Sequence, residues 1–354
     1  MKRKHRMNSN TILILITVLL FFIMYFIGCV IYANKGFGNF QTFLNILINN
    51  SGLLCVVAGM TCVMLTAGID ISVGALVAMD CMLLATGMVK GNNCILMLLL
   101  VLLIGAVFGL VQGFFISYMN IQPFIVTMAG MFFARGMTAV ISTKQVSITE
   151  ANNALFYQWA NTKINFPAFM GIVNNKGATM VPFIRPPVII ALLCVFAIFI
   201  MLRYTKFGRG LYAVGGNEES ARMMGLNVKM IKLKAYVLMS IISSIGGICY
   251  CMNTMSGSVQ QATGMEMQAI AATVIGGTLL TGGVGNVLGS FFGVLIIGTI
   301  TTLVQTNGKL LSSWSNIAVA ALMCFFIILQ ALFSVIREKT ASKRKNARVL
   351  WSGK

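Results

Sequence analysis

Charge is scarce in this sequence, and negative charge is scarcest. Seven Asp and Glu stand against 26 Lys and Arg, and the one histidine is His5, inside a basic stretch. A single histidine excludes a His-based catalytic triad or a His-rich zinc site. The carboxylates are scattered, with no close pair in the apolar part of the chain, so two-carboxylate acid–base chemistry has no foundation. Gly308-Lys309 lacks the preceding glycine spacing and the following Ser/Thr of a phosphate loop. No ATP-hydrolysing site and no cofactor site of its own is expected. Of the five prolines, four fall between 143 and 187, which leaves the apolar stretches almost free of them. The nine cysteines lie in or near apolar runs without metal-ligand spacing. They read as small buried hydrophobes, with no metal site and no disulfide framework.

What is abundant is apolar surface. Apolar residues make up 58% of the chain and charged ones 9%, whereas a soluble domain has about 45–50% and about 25%. Lipid must therefore solvate much of the chain. Residues 11–33 form an uncharged run of 23, and 91–134 one of 44, broken by Asn120-Ile-Gln-Pro123. A third run, 267–308, is broken by Thr281-Gly-Gly-Val-Gly285. Crossing a hydrocarbon core of about 30 Å takes roughly 20 apolar residues as a helix, and lipid offers no partner for unpaired backbone groups. The fold class expected is all-α, a polytopic helical bundle. Ten spans are expected, near 11–32, 43–66, 71–89, 95–119, 121–142, 187–203, 235–253, 266–281, 284–306 and 313–335, the sixth and eighth being short.

The net charge of +19 sits beside the spans, not on a nucleic-acid-binding face. Lys2, Arg3, Lys4 and Arg6 precede the first span; Arg337, Lys339, Lys343, Arg344, Lys345, Arg348 and Lys354 follow the last. Arg203, Lys206, Arg209, Arg222, Lys229, Lys232 and Lys234 share one connection. The positive-inside rule places both tails, 1–10 and 337–354, and the 203–234 loop in the cytoplasm. The membrane domain is then 11–336, with an external loop at about 143–187. A basic stretch before an apolar run also resembles a signal peptide, and Phe26-Ile-Gly-Cys29 approaches a lipoprotein cleavage box. The run is long enough to span and continues to Ala33, so an uncleaved first helix is expected.

The external loop reads either as a cover over the outer mouth or as a docking surface. The cytoplasmic loop has internal order. Asn217 can cap a helix, Glu218 and Glu219 suit its first turn, Ala221 and Met224 are placed on one face, and Gly225 can stop it. A bare connector would not need a capped helix, so this one, spanning Gly216, Asn217, Glu218, Ser220, Ala221, Met224, Gly225 and Leu226, is expected to dock a cytoplasmic partner. Gly105, Gly109 and Gly113 recur every four residues, as do Gly285, Gly289 and Gly293. Small residues at that spacing let helices approach closely in lipid, and the two sets hint at an internal repeat. Four charges lie in or beside spans: Asp70, Asp80, Arg135 and Glu266. Asp70 and Glu266 read as helix caps before substrate contacts, Ile71 opening the third span. Asp80 and Arg135 either pair or face a cavity.

Four blocks now carry a resemblance. Gly68-Ile-Asp-Ile-Ser-Val-Gly74 resembles a signature of the bacterial ribose/galactoside importer permeases, a family of ABC sugar-importer subunits. Gln122-Pro-Phe-Ile-Val-Thr-Met-Ala-Gly130 with Ala134-Arg-Gly136 resembles its next block. Phe207-Gly-Arg-Gly-Leu-Tyr-Ala-Val-Gly-Gly-Asn217 resembles its cytoplasmic loop. Gly264-Met-Glu-Met-Gln-Ala-Ile-Ala-Ala-Thr-Val-Ile-Gly-Gly277 resembles its last block. They occur in order over roughly 40–335. Gly130-Met-Phe-Phe-Ala-Arg-Gly136, residues 277–289 and Leu311-Ser-Ser-Trp314 are most like the second permease of the galactofuranose importer. Asp80, Met267, Gln268 and the polar 143–187 loop depart from the pattern and leave the sugar open, galactofuranose- or galactose-like or ribose-like. The resemblance implies a permease in the bacterial inner membrane that does no covalent chemistry. Its partners would be a second permease, identical or related, a cytoplasmic ABC ATPase that binds ATP and Mg, and an external sugar-binding protein. It also implies a signature and translocation-path set of Gly68, Asp70, Ser72, Gly74, Gln122, Pro123, Thr127, Arg135, Glu266, Gly276 and Gly277. An ion-coupled secondary transporter of a small polar solute fits the composition too, without a need for the docking helix.

Overall fold

The computed structural model describes residues 9–167, 172–173, 179–311 and 313–329. The basic stretches at 2–6 and 337–354 lie outside the described residues. Among the described residues six helices are each long and apolar enough to cross a membrane: α1 (Ser9–Ile31), α5 (Cys94–Ser117), α6 (Pro123–Ile141), α8 (Pro186–Tyr204), α11 (Val228–Thr254) and α13 (Val287–Asn307). The pair α2 (Phe40–Asn49) and α3 (Ser51–Leu65), bent by 59°, meets the same length and apolarity when taken together, as a broken span or a re-entrant loop. Three shorter apolar helices are α4 (Val73–Val89), α12 (Met265–Ile275) and α14 (Ser313–Leu329). Each of the ten expected positions carries a helix, but not the expected length. The eighth, expected to reach 281, ends at Ile275, and the third opens at Val73.

The layering follows from where polar side chains are missing. A helix that is apolar all round belongs in the interior. All of α3 is buried, and so is almost all of α4. Helices α1, α5, α6 and α8 form the outer layer. Leu99, Leu103, Phe26, Phe132 and Phe196 are at least 60% exposed there, a surface only lipid tolerates. Helix α11 runs through the centre against α3, α4 and α5. Gly52 of α3 and Gly246 of α11 meet so closely that a methyl on either would lie 2.9 Å from the other's carbonyl oxygen. The bend at Asn50 frees backbone carbonyls in the bundle, and α11 answers it. Asn253 donates through Nδ2 to the Ile48 carbonyl at 2.8 Å and to Ser51 Oγ at 2.9 Å.

Among the described residues six strands of two residues each pair antiparallel. β1 (Val146–Ser147) pairs with β6 (Ser256–Gly257), β2 (Ile164–Asn165) with β5 (Phe183–Ile184), and β3 (Ile172–Val173) with β4 (Thr179–Met180). The 142–185 connection also holds α7 (Ala154–Asn161), capped by Asn153 and anchored by the fully buried Phe156. At the opposite end of the bundle lie α9 (Lys206–Gly216) and α10 (Glu218–Met223). The 207–216 block, given in the sequence only as part of the cytoplasmic loop, is an amphipathic helix.

Candidate functional site: a capped helix coupled to a broken membrane core

The short helix α10 is fixed at both ends. Asn217 Oδ1 accepts from the Ser220 N–H at 2.7 Å, the expected cap. At the other end the Leu226 N–H donates to Ala221 O and the Gly225 N–H to Arg222 O, a Schellman closure with Gly225 at φ +81°. Glu218 Oε2 takes Lys232 Nζ of α11 at 2.6 Å, which ties the helix to the long central span. One expectation is corrected. Ala221 and Met224 do not share a face: Ala221 is fully buried against Val214 and Val228, while Met223 and Met224 stand 87% and 69% exposed. Ala221 is covered by α9 and α11, whereas Met224, its N–H still bonded to Ser220 O at 3.0 Å, is left uncovered at the helix end. Two large apolar side chains in the open are the kind of surface that a partner covers.

Helix α9 connects this unit to the membrane helices. A side chain at Gly215 would collide with the Leu65 carbonyl at the end of α3. The Gly283 N–H donates to that carbonyl at 2.9 Å, and Tyr212 Oη donates to the Gly285 carbonyl at 3.0 Å. Gly216 packs on Gly283, whose φ is +72°. The end of α3, the turn between α12 and α13, and α9–α10 thus form one continuous contact. Gly276 and Gly277 build that turn. Gly277 has φ +89° and Thr278 N–H returns to Thr273 O, another Schellman closure, while Gly276 lets Ser290 of α13 approach its backbone.

The remaining signature residues surround two breaks in the core. Residues 66–72 run without helix between α3 and α4. Asp70, 1% exposed, does not cap α4: its Oδ1 accepts from Ser72 N at 2.9 Å and Ser72 Oγ at 2.6 Å, and the helix opens after Ser72. Gln112 Nε2 donates to Ser72 Oγ at 3.0 Å, extending the chain of bonds into α5. Gly68 makes room for the Tyr236 hydroxyl. Pro123 opens α6 just after Gln122, and Thr127 lies buried one turn on, its hydroxyl bonded back to Pro123 O. The second break is 258–264. Arg135 does not pair with Asp80; its Nη1 donates to the carbonyls of Val259 and Gln261 at 2.8 and 2.7 Å. Glu266 Oε1 accepts from the Gly264 N–H at 3.2 Å, and its side chain lies where Gly74 has none. Asp80 is fully buried against Gly247 and Ser244 of α11. Gln112, Gln261 and the dip of 258–264 were not singled out from sequence. The polar run Ser256-Gly-Ser-Val-Gln-Gln261 between two spans was the available signal.

The glycine rows are helix contacts. Methyls at Gly109 and Gly113 would lie 2.7 and 3.0 Å from carbonyl oxygens of Tyr236 and Leu233 on α11, and Gly105 packs on Ser240 and Ser244. Gly289 and Gly293 of α13 pack on the Gly276 and Ala272 carbonyls of α12. Gly285 is not on that helix; it lies in the turn before α13, against Thr278. Among the described residues no three His, Cys, Asp or Glu side chains group as a metal site.

Comparison with known proteins gives the lineage. Residues 42–329 match the family described as branched-chain amino acid transport system / permease component. The chain is 36% identical to the inner membrane ABC transporter permease protein YjfF of Escherichia coli (strain K12), over 87% of this chain and 88% of that protein. It is 33% identical to the fructose import permease protein FruG of Bifidobacterium longum (strain NCC 2705), over 93% of each. It is 32% identical to the ribose import permease protein RbsC of Escherichia coli (strain K12), over 84% of this chain and 87% of that protein. No solved structure matches the chain. The matched family covers the span from α2 to α14, and with these relatives it shows that the chain belongs to the ABC permeases of the ribose/galactoside sugar-importer family.

Proposed function

We propose that this chain is the permease subunit of an ATP-driven importer and forms the path for a monosaccharide handed over by an external binding protein. A galactofuranose- or galactose-like sugar or a ribose-like one is the proposed cargo; named relatives import fructose and ribose. It works beside a second permease, identical or related, in the bacterial inner membrane, with both termini and α10 on the cytoplasmic side. ATP and Mg belong to a partner ATPase, and the permease itself makes and breaks no covalent bond.

The observation that carries this reading is α10: capped at both ends, tied by Glu218 to Lys232, and exposing Met223 and Met224. A helix held this firmly passes a push on instead of absorbing it. When the ATPase pair closes on ATP, α10 moves with it. Helix α9 carries the displacement through Gly215 and Gly216 to the end of α3 and the α12–α13 turn. Both segments border the 66–72 break: α3 runs into it, and the turn packs on Ala67 through Gly282. Met224→Asp tests the reading, because burying an unpaired carboxylate in the ATPase groove costs more than the roughly 2–7 kcal/mol of an unpaired neutral polar group. The variant is expected to reach the membrane in normal amount yet lose ATPase in pull-down and lose sugar uptake. Normal pull-down and uptake would make α10 a connector only.

A further inference from the structure

The segment joining α11 to α12 lies at membrane depth, and its exposed side carries polar groups. Depth is read from α4, whose 17 residues rise about 26 Å. A methyl at Gly257 would lie 2.6 Å from Met82 Cα, and one at Gly74 would lie 2.8 Å from the Ala262 carbonyl oxygen. Between these two contacts the chain descends along α4 from Met82 to Gly74, about 12 Å. Residues 258–264 therefore run without helix alongside the buried 74–82 stretch of α4. Gln261 and Arg135 hold the inner side: Gln261 bonds Ser258, Thr254 and Ser256, and Arg135 takes two backbone carbonyls. On the outer side Gln260 and Thr263 are exposed, Gly264 has open space at its β-position, and Met267 is 55% exposed.

Irregular backbone with exposed amide and hydroxyl groups does not face hydrocarbon; at that depth it is covered by protein or lines water. The exposed groups are themselves uncharged. The nearby charges are turned inward, Arg135 onto carbonyls and Glu266 onto the Gly264 N–H. Neutral donors and acceptors beside one apolar side chain suit a hydroxylated, uncharged solute: hydrogen bonds for its OH groups and a contact for its C–H face. An ion would want charge or converging carbonyls instead. We infer that the Gln260–Thr263–Gly264–Met267 edge lines the water-filled path taken by the sugar, a deepening that rests on the permease reading above.

The test uses the assembled complex in membrane vesicles and a charged, water-soluble methanethiosulfonate. Gln260→Cys and Thr263→Cys are compared with Leu103→Cys on the apolar face of α5, with the native chain giving the background of its own nine cysteines. The two path positions are expected to react ~tenfold faster or more, since a charged reagent is excluded from hydrocarbon. Transported sugar is expected to slow the reaction, and the adduct to abolish uptake. Rates equal to that at Leu103→Cys would overturn the inference, as would full uptake by a complex carrying the adduct. Fast labelling of a complex that carries no sugar would keep the aqueous edge and overturn the sugar reading instead. Should Thr263→Cys fail to accumulate, Gln260→Cys gives the same answer independently.

Discussion

Gly109→Ala isolates what the glycine row on α5 does. The added methyl would sit 2.7 Å from the Tyr236 carbonyl oxygen and 2.8 Å from the Ser240 Cβ and Oγ, all on α11. Ordinary contact needs about 3.5–4.0 Å, so the two helices must separate by about 1 Å. Interiors resist such overpacking at about 1–3 kcal/mol. Intrinsic helix propensity pushes the other way, favouring Ala over Gly by about 0.8–1.0 kcal/mol. Packing therefore wins, but not by a large margin. Gly136→Ala on α6 is the matched control: nothing lies within 4 Å of its β-position, so only the propensity gain remains. Thermal unfolding of the purified complex, followed by size-exclusion of the folded fraction, reads both. Gly109→Ala is expected to lower the midpoint, Gly109→Leu to abolish folded yield, and Gly136→Ala to leave the midpoint unchanged or raised. Equal midpoints for Gly109→Ala and Gly136→Ala would refute the claim that the row is a helix–helix contact.

Asn217→Ala removes the cap bond to the Ser220 N–H. A loss of about 1 kcal/mol should speed hydrogen exchange across α10 about fivefold and lower uptake, with Asn217→Asp near normal; unchanged exchange would show that the cap is idle. Arg135→Gln gives up two charge-assisted bonds to Val259 and Gln261, each worth about 1.5–3 kcal/mol. Exchange at 258–264 should rise while ATPase pull-down stays normal, and an unaltered loop would mean that Arg135 does not hold it.

Sequence made the bundle legible because lipid imposes a simple rule: uncharged runs of the right length become helices. It also located α10, since an Asn, two acidic residues and a glycine act locally at helix ends. What it missed depends on long-range packing. Ala221 and Met224 were placed on one face by helical spacing, yet Val214 and Val228 cover only Ala221 and leave Met224 exposed at the helix end. Asp70 looked like a cap because it precedes an apolar run, but its bonds to Ser72 form a turn that delays the helix. Gly285 matched a four-residue spacing that continued on the page but not in space. The partners of Arg135 are backbone carbonyls, which no side-chain pattern announces. The inward dip of 258–264 follows from contacts with α4 alone.

The central claim is that transport here is driven by a partner ATPase through this chain. Proteoliposomes holding the chain with its partner permease and ATPase, supplied with loaded binding protein and a panel of labelled sugars, measure it directly. Uptake of a monosaccharide should require ATP and the binding protein, survive ionophores that collapse ion gradients, and vanish with Met224→Asp. Uptake by this chain without the ATPase, driven by an ion gradient and abolished by ionophores, would contradict the account.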